Sequence, residues 1–384
     1  MSEKKLKVLF VSKDSYYPEN RDGISKINYN LVVNNSLIEP DYLTQQYVGK
    51  APDESSVENH LVFNCPPKQN SKLKAIFSLT PYNVYPKEEL KGLAEQINSV
   101  SNNYDVIHIS TLFFGHLPSL LNEKAKIFFS SVDCHTLLMR RKAASVKNPI
   151  FKFLYYLESL KYKALESKLY GQLNKCHFVS NIDSEFAQKN LSLEKPITIP
   201  NGINTKEFYD QALERDPFQL IFTGNFNYHP NQEAAEFIIT KIAPELYKKD
   251  PRYKIILAGA NPTPFMQRTE LPNVIITGRV ESLTPYLQKS NIFICPLFSG
   301  AGIKNKLLEA MASGLFSICS EMSLDGIPSP INFKTIRPAQ NVKEWIQDII
   351  APGHSASFDK GAVSIFVKRF SWETIKESYL VYYS

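Results

Sequence analysis

Short apolar runs alternate with helix-periodic segments along almost the whole of this 384-residue chain. Nine of these runs are rich in β-branched or aromatic residues and are strand candidates, at residues 7–12, 105–110, 127–132, 176–180, 218–224, 253–259, 273–278, 291–297 and 315–320. Several of them are apolar without alternation, which predicts strands buried on both faces of a parallel sheet. Between them lie segments such as 231–249, whose alanines and isoleucines recur on one helical face. This alternation predicts α/β layers.

The rhythm of strands and helices is interrupted once, at residues 195–219, a stretch rich in Pro, Gly, Asn and charge. A new strand–helix series starts after it. We therefore predict two doubly wound domains, residues 1–195 and 196–369, and expect a final helix over 370–384 to pack back on the first domain. Ligands of such sheets bind at the carboxyl ends of the strands, and a cleft between two domains is a common place for a site.

The composition is that of a globular protein, with 43% hydrophobic and 21% charged residues. No run of about 18 apolar residues predicts a membrane span, and the apolar run after the first lysines is typical of a strand rather than a signal peptide. The five cysteines are odd in number and scattered, which favours reduced thiols over disulfides or a metal site. They are Cys65, Cys134, Cys176, Cys295 and Cys319. We expect a cytoplasmic protein.

The positive charge is concentrated in one segment. Residues 138–175 contain nine Lys or Arg against two Glu, a net charge of +7, whereas the whole chain carries +6. Aromatic residues are interleaved with this charge. An ordinary helix with a solvated basic face would explain the pattern, and so would contact with an anionic membrane surface, which we favour. No nucleic-acid-binding motif accompanies the segment.

The stretch LFSGAGIKNKLLEAMASG, residues 297–314, combines glycines, lysines and the predicted start of a helix. Gly300 and Gly302 allow the backbone to approach another group closely or to adopt φ > 0. A helix start offers unpaired N–H groups and partial positive charge. The combination predicts a binding site for an anion. Gly314 is predicted to end the helix.

The second half of the chain contains five sequence blocks in the following order: IPNGIN, FTGNFNYHPNQEAAEFI, ITGRVESLTPYLQKSNIFICPL, SGAGIKNKLLEAMASG and FSWETIKESY. In these blocks, from about residue 176 onwards, the chain resembles the GT-B glycosyltransferases of family 4, retaining enzymes that use nucleotide sugars. The order and spacing of several blocks are far more specific than a lone glycine motif. The resemblance implies the GT-B fold, with two Rossmann-like domains and the site in the cleft between them.

The resemblance implies that residues 297–314 bind the phosphates and sugar of a nucleotide-sugar donor. Glu309 matches the family's second glutamate, which holds the ribose hydroxyls, and the backbone of Val280 would line the base pocket. The donor-binding residues it indicates are Gly23, Gly224, Asn225, Val280, Gly300, Gly302, Ile303, Lys304, Asn305, Lys306 and Glu309. The donor is a co-substrate, and we expect no metal or other cofactor.

Two positions depart from the family pattern. Ala301 stands where the first glutamate would be, and Asn225 stands where an arginine would reach the diphosphate. Lys304 and Lys306 lie in the loop expected to face that diphosphate, so their charge would replace the arginine without its bidentate geometry. Such charge stabilises the leaving nucleoside diphosphate as glycosyl transfer proceeds.

The strand at 127–132 is followed by Asp133 and His135. In the family a histidine here contacts the donor sugar, and Asp133 falls on that position with His135 two residues later. Asp133, His135 and Lys306 are therefore the candidate catalytic residues, although a structural role for the first two is an equal alternative. Gly23 precedes a helical run and is either a turn glycine or part of the donor loop. We expect His108 to be a core histidine.

The sequence thus predicts transfer of a sugar from a nucleotide-sugar donor to a glycan or lipid-linked acceptor, with retention, in cell-surface polysaccharide synthesis. Peripheral binding to the inner face of a membrane through residues 138–175 is expected, and the oligomeric state is left open. One alternative is a GT-B protein that binds nucleotide or glycan without transfer, which Ala301 and Asn225 keep open. Another is a sugar-nucleotide epimerase.

Overall fold

The computed structural model describes residues 5–13, 16, 23–33, 35–45, 60–63, 77–122, 126–208, 214–300, 302–327, 333–335, 341–352 and 360–384. The chain forms two compact units. The first comprises Met1–Asn201 and Glu373–Ser384, and the second comprises Gly202–Trp372. The sequence placed the first boundary at 195/196, about one short strand earlier, because Lys195–Thr198 lies in the stretch where the strand–helix rhythm breaks.

The first unit is built on a seven-stranded sheet whose described pairings are all parallel. The strand order is β3-β2-β1-β4-β5-β6-β7. The strands are β1 (Leu6–Ser12), β2 (Ile38–Gln45), β3 (His60–Phe63), β4 (Val106–Ser110), β5 (Ile127–Val132), β6 (Lys175–Phe178) and β7 (Lys195–Thr198). Its α-helices are α1 (Gly23–Val32), α2 (Lys91–Val100), α3 (His135–Ser145), α4 (Pro149–Leu173) and α5 (Asn181–Asn190).

The second unit has a six-stranded sheet in the order β10-β9-β8-β11-β12-β13, again parallel at every described pairing. The strands are β8 (Gln219–Thr223), β9 (Lys254–Ala258), β10 (Val274–Gly278), β11 (Ile292–Cys295), β12 (Phe316–Cys319) and β13 (Phe333–Thr335). Its helices are α6 (Thr205–Phe208), α7 (His229–Phe237), α8 (Ala243–Lys249), α9 (Pro264–Gln267), α10 (Thr284–Lys289), α11 (Asn305–Ala312), α12 (Val342–Ile350) and α13 (Lys360–Phe370). The last helix of the chain is α14 (Trp372–Tyr383).

All nine predicted strands are present, with ends that differ by at most two residues. The strands β4, β8 and β11, at the centres of the two sheets, are buried at every position. This is expected for strands that are covered on both faces of a parallel sheet. The strands β2, β3, β7 and β13 were not predicted. The helix expected over 231–249 is interrupted by a π-helical segment, Ile238–Ile242, that joins α7 to α8. Its isoleucines nonetheless face the core.

The end of α14 packs against two buried histidines of the first sheet. Tyr383 OH lies 2.5 Å from Nδ1 of His108, and Tyr379 OH lies 3.4 Å from Nε2 of His177. Lys126 donates hydrogen bonds to the carbonyl oxygens of Tyr383 and Ser384, at 2.9 and 2.6 Å. His108 is fully buried, as predicted. These contacts tie residues 373–384 to strands β4, β5 and β6.

The four cysteines in the described part of the chain are buried free thiols, as predicted. Cys65 lies outside the described residues. Burial raises the pKa of the Cys176 and Cys319 thiols, which makes them poor nucleophiles. Among the described helices, none is both long and apolar enough to cross a membrane.

His177 gives the stability of the first unit a specific pH dependence. Its Nδ1 accepts from Ser130 Oγ at 2.7 Å and its Nε2 donates to Ile199 O at 2.9 Å, while burial lowers its pKa to about 4. The unfolded chain therefore binds a proton at this residue between pH 6.5 and 4 that the native state does not. The free energy of unfolding should fall with decreasing pH in this window, by up to about 1.4 kcal/mol per pH unit for each such histidine.

Urea denaturation followed by circular dichroism at several pH values measures this slope. His177→Gln should reduce the slope by about one proton equivalent, while His229→Gln, which alters an exposed histidine, should leave it unchanged. Equal slopes for His177→Gln and the wild type would contradict the assignment.

Candidate functional site

Three glycines lie at the carboxyl ends of adjacent strands in the second unit. Gly224 follows β8, Gly259 follows β9, and Gly278 ends β10. A Cβ atom on Gly259 would lie 2.0 Å from the carbonyl oxygen of Gly224, so the two backbones touch here. Gly259 and Gly278 have φ of 144° and 67°, a region that favours glycine. The backbones of adjacent strands thus approach each other closely at this edge of the sheet.

Lys306 is held beside Gly224 by an asparagine. Its Nζ donates to Asn231 Oδ1 at 2.6 Å and lies 4.2 Å from the ring centroid of Phe222. Asn231 Nδ2 in turn donates to the carbonyl oxygen of Asn225 at 2.7 Å. Burial lowers the pKa of Lys306 to about 8. The ammonium is thus charged at neutral pH, fixed in position and poorly hydrated, which strengthens its attraction for an anion.

The loop after β11 leads into α11, as predicted. Gly300 and Gly302 have φ of 121° and 66°. Lys304 is buried and donates from Nζ to the carbonyl oxygen of Gly302 at 2.6 Å, so it stabilises the shape of the loop. The helix begins at Asn305, and no side chain of its N-cap residue caps it. Gly314 follows the helix with φ of 72°, which confirms its role in ending it.

Other predicted donor-binding residues lie in the same loop, in α11 or just after β10. Glu309 is half-buried one turn into α11, four residues after Asn305 and three after Lys306, and so on the same face of the helix. Ile303 is buried. Val280 is half-buried two residues after β10. Ala301 lies outside the described residues.

The Asn225 side chain forms hydrogen bonds to neighbouring loop residues. Its Oδ1 accepts hydrogen bonds from Asn261 Nδ2 and from the Asn227 N–H, both at 3.0 Å. The residue therefore shapes the turn after β8. The charge near Gly224 comes from Lys306 on α11, which the sequence indicated, whereas the part played by Asn231 was missed because it depends on contact between distant segments.

In the first unit, Asp133 and His135 follow β5 as predicted. Val132 has φ of 67°, an uncommon value for a β-branched residue. His135 Nδ1 donates to the carbonyl oxygen of Asp133 at 3.1 Å, so that in the neutral ring Nε2 is an acceptor. Burial lowers the pKa of His135 to about 4, and its ring lies 5.1 Å from that of Tyr162. The ring is neutral at pH 7 and can accept a hydrogen bond.

Two buried carboxylates orient this segment, and the sequence did not reveal them. Glu166 is fully buried and accepts from the N–H groups of His135 and Thr136 at 2.9 and 3.0 Å. Asp183 accepts from the Cys134 N–H at 2.9 Å. Burial raises the pKa of Glu166 to about 7, against the hydrogen bonds that favour its charged form. The start of α3 is thereby satisfied by protein carboxylates and is unavailable to an anionic ligand.

Gly23 is the first residue of α1, and no atom lies within 4 Å of the position that a Cβ would take. Its described surroundings therefore do not require glycine. Residues 17–22, which precede it, lie outside the described part of the chain. Among the described residues, no group of three or more His, Cys, Asp or Glu is placed to hold a metal ion.

The basic segment 138–175 comprises most of α3, all of α4 and the turn that joins them, and it ends at the first residue of β6. The first half of α4 exposes apolar side chains to an unusual degree. The exposed fractions are 69% for Ile150, 53% for Phe151 and 59% for Phe153. Lys147 and Lys152 are exposed beside them. Charge and apolar surface thus occupy the same end of the helical hairpin.

A family model described as Glycosyl transferases group 1 matches residues 217–351, all within the second unit. A sequence relative from Klebsiella pneumoniae, described as an uncharacterized 44.6 kDa protein in cps region, is 24% identical over 190 residues. The match covers 47% of this chain and 48% of that protein, so it spans about half the length of the relative.

Solved structures resemble the chain over nearly its whole length. Sucrose-phosphate synthase from Thermosynechococcus elongatus has a TM-score of 0.68 at 15% identity, covering 99% of this chain and 98% of its own. Anabaena HepE, in complex with UDP and glucose, has a TM-score of 0.67 at 13% identity, covering 98% and 99%. At such identities the likeness shows the fold alone. It confirms the GT-B class of two parallel-sheet α/β domains, and the second unit carries a glycosyltransferase domain.

The contact between Gly224 and the Lys306–Asn231 pair yields a test of the site. A Cβ at Gly224 would lie 2.9 Å from Lys306 Nζ and 2.8 Å from Asn231 Nδ2, both at the ends of side chains that can shift. Gly224→Ala should therefore fold but displace the ammonium. We expect affinity for UDP, measured by calorimetry, to fall roughly tenfold, the free energy of about one charged hydrogen bond.

Gly171→Ala is the matched control, because Gly171 lies in α4 with no atom within 4 Å of its Cβ position. It should bind UDP as the wild type does. Unchanged UDP affinity in Gly224→Ala would remove Lys306 from the site.

Proposed function

We propose that the protein transfers a sugar from a nucleotide-sugar donor to a glycan or lipid-linked acceptor, with retention of anomeric configuration, in cell-surface polysaccharide synthesis. The observation that carries the proposal is the placement of Lys306, at the start of α11, beside Gly224 at the carboxyl end of β8, inside the matched glycosyltransferase domain. Retention and family 4 rest on the resemblance of the sequence blocks. The Klebsiella relative in a cps region supports the polysaccharide role.

The donor diphosphate would bind at the start of α11, where backbone N–H groups and the helix dipole favour negative charge. Lys306 would hold the phosphate nearest Gly224. Its contribution grows during transfer, because the leaving nucleoside diphosphate gains negative charge as the anomeric carbon becomes oxocarbenium-like. Glu309, on the same helix face, would accept hydrogen bonds from the ribose hydroxyls. HepE was solved with UDP and glucose, so UDP-sugars are the first donors to examine.

In the first unit, His135 would accept a hydrogen bond from a sugar hydroxyl through its neutral Nε2. The hydrogen bond from Nδ1 to Asp133 O fixes this tautomer, and Glu166 fixes the backbone of His135. Because burial keeps the imidazole uncharged down to about pH 4, the residue would act as an acceptor over the whole physiological range.

Transfer is tested by incubating the protein with labelled UDP-, GDP- and dTDP-sugars and with glycan and lipid-linked acceptors. Release of nucleoside diphosphate together with a labelled acceptor is expected. Donor binding without release under every condition would favour the nucleotide-binding alternative, and a new sugar nucleotide without an acceptor product would favour the epimerase.

Glu309→Gln tests the ribose contact. If Glu309 accepts from both ribose hydroxyls, the variant should bind UDP more weakly by roughly 1.5–3 kcal/mol, the usual scale for hydrogen bonds to a charged group. Calorimetric titration with UDP measures this. Glu236→Gln, an exposed substitution on α7, should bind as the wild type does. Equal affinities for the two variants, with the fold intact, would exclude Glu309 from the nucleotide site.

We further propose that the protein works in the cytoplasm, at the inner face of a membrane, and docks there through residues 138–175. Each basic residue near an anionic surface contributes about 1 kcal/mol. Binding to vesicles rich in phosphatidylglycerol is therefore expected at low salt, with progressive loss as ionic strength rises. Replacing Arg140, Arg141, Lys142 and Lys147 by serine should abolish sedimentation with vesicles and leave UDP binding unchanged. Failure of the wild type to sediment at low salt would refute docking.

A further inference from the structure

A groove of about 400 Å³ lies in the first unit between α3, α4 and the segment at Tyr82 and Asn83. Apolar and aromatic side chains form most of its wall, among them Met139, Leu154 and Tyr155. Three charged groups also face it, Lys142, Glu158 and Lys161. The groove is thus apolar along its length with charge at defined points, as ligand pockets commonly are.

The groove runs along the hairpin formed by α3 and α4, and its two ends differ. The helices α3 and α4 are joined by residues 146–148 and run back along each other, so that Glu166, late in α4, contacts the start of α3. At one end, Tyr162 lines the groove and packs against the His135 ring. At the other end lie Lys142 and Phe151, next to the turn. Lys142 is seven positions after His135 in α3, a distance of about 10 Å along the helix axis.

Of the three charged side chains of the groove, Glu158 and Lys161 form an ion pair and Lys142 does not take part in it. Lys161 Nζ lies 3.3 Å from Glu158 Oε2, and Glu158 also accepts from the Tyr82 N–H, so this pair is mutually neutralised. Burial lowers the pKa of Lys142, and in the described part of the chain no carboxylate compensates for its desolvation. A half-buried, uncompensated ammonium is stabilised by an anionic ligand.

The turn end of the groove continues into exposed apolar surface. Phe151 belongs to the groove wall and is still 53% exposed, and Ile150 and Phe153 beside it are more exposed. Three features therefore follow one another along the hairpin. The polar side chain of His135 comes first, the ammonium of Lys142 lies about two helical turns away, and the exposed apolar side chains at the start of α4 come last.

We propose that this groove binds a phosphorylated amphiphile, in which a phosphate joins an apolar chain to a saccharide. The phosphate lies at Lys142, the apolar chain runs over Phe151 towards Ile150 and Phe153, and the saccharide extends towards His135. The inference rests on the proposed transferase function in that it assigns the acceptor to the lipid-linked class. Within that class, the order of saccharide, phosphate and chain matches the order of chemistry along the groove.

Farnesyl phosphate, below its aggregation concentration, is the probe, with farnesol and inorganic phosphate as the comparison ligands. Calorimetric titration of the full chain should show farnesyl phosphate binding at least tenfold more tightly than either. Equal binding of farnesol would mean an apolar groove without phosphate recognition, and complete competition by equimolar inorganic phosphate would mean an anion site without a lipid. Either result overturns the proposal.

Two variants with matched controls locate the site. Lys142→Gln should weaken farnesyl phosphate binding about tenfold by removing the charged contact to phosphate, and Phe151→Ser should weaken it several-fold. Lys163→Gln and Leu160→Ser change exposed residues of the same helix that do not line the groove, and both should bind as the wild type does. Wild-type affinity in both Lys142→Gln and Phe151→Ser would place the ligand elsewhere and overturn the proposal.

Titration of the same samples with UDP-glucose separates this proposal from the function on which it rests. All four variants should bind the nucleotide sugar equally. Farnesyl phosphate binding without any nucleotide-sugar binding would uphold the groove and overturn the proposed donor. Nucleotide-sugar binding without farnesyl phosphate binding would overturn the groove alone.

Discussion

Hydrogen bonding between parallel strands constrains both units of this protein. Parallel neighbours cannot be joined by a tight hairpin, so each connection must cross a face of the sheet, usually as a helix. The crossings bury both faces and gather the carboxyl ends of the strands at one edge. Asp133 and His135 follow β5 at this edge in the first unit, and Gly224 and Gly300 follow β8 and β11 in the second. In the second unit, Gly224 and Lys306 are thereby brought into contact although they are far apart in sequence.

The same constraint explains which strands could be predicted from the sequence. Central strands such as β9 and β11 are buried along nearly their whole length and are apolar at nearly every position, a pattern that is visible without any knowledge of the partners. The missed strand β7 begins with Lys195 and Pro196 and lies at a sheet edge, where a proline costs no ladder hydrogen bond. In β2, Pro40 pairs with Val8 despite the low strand propensity of proline. Such strands are determined by their neighbours rather than by their own composition.

The candidate donor loop before α11 was recognisable from the sequence because its glycines and lysines lie within a few consecutive residues. The contacts that fix its geometry were not, since Lys306 depends on Asn231, 75 positions earlier. Glu166 presents the same difficulty in the first unit. In the sequence it is one of two acids in a strongly basic segment, which suggests a surface residue, yet the structure buries it completely beneath the start of α3. A buried carboxylate with five donors becomes recognisable only when segments about 30 residues apart are in contact.

The packing of α14 against β4, β5 and β6 has a consequence for biogenesis. A ribosome delivers residues 202–372 before residues 373–384, so the second unit is entirely available for folding while the first still lacks Tyr379 and Tyr383. Until then His108 and His177 lack these aromatic partners, and Lys126 lacks its two carbonyl acceptors. Domains usually mature from the amino end during translation. In this protein the first unit can make these contacts only after the whole second unit has been synthesised.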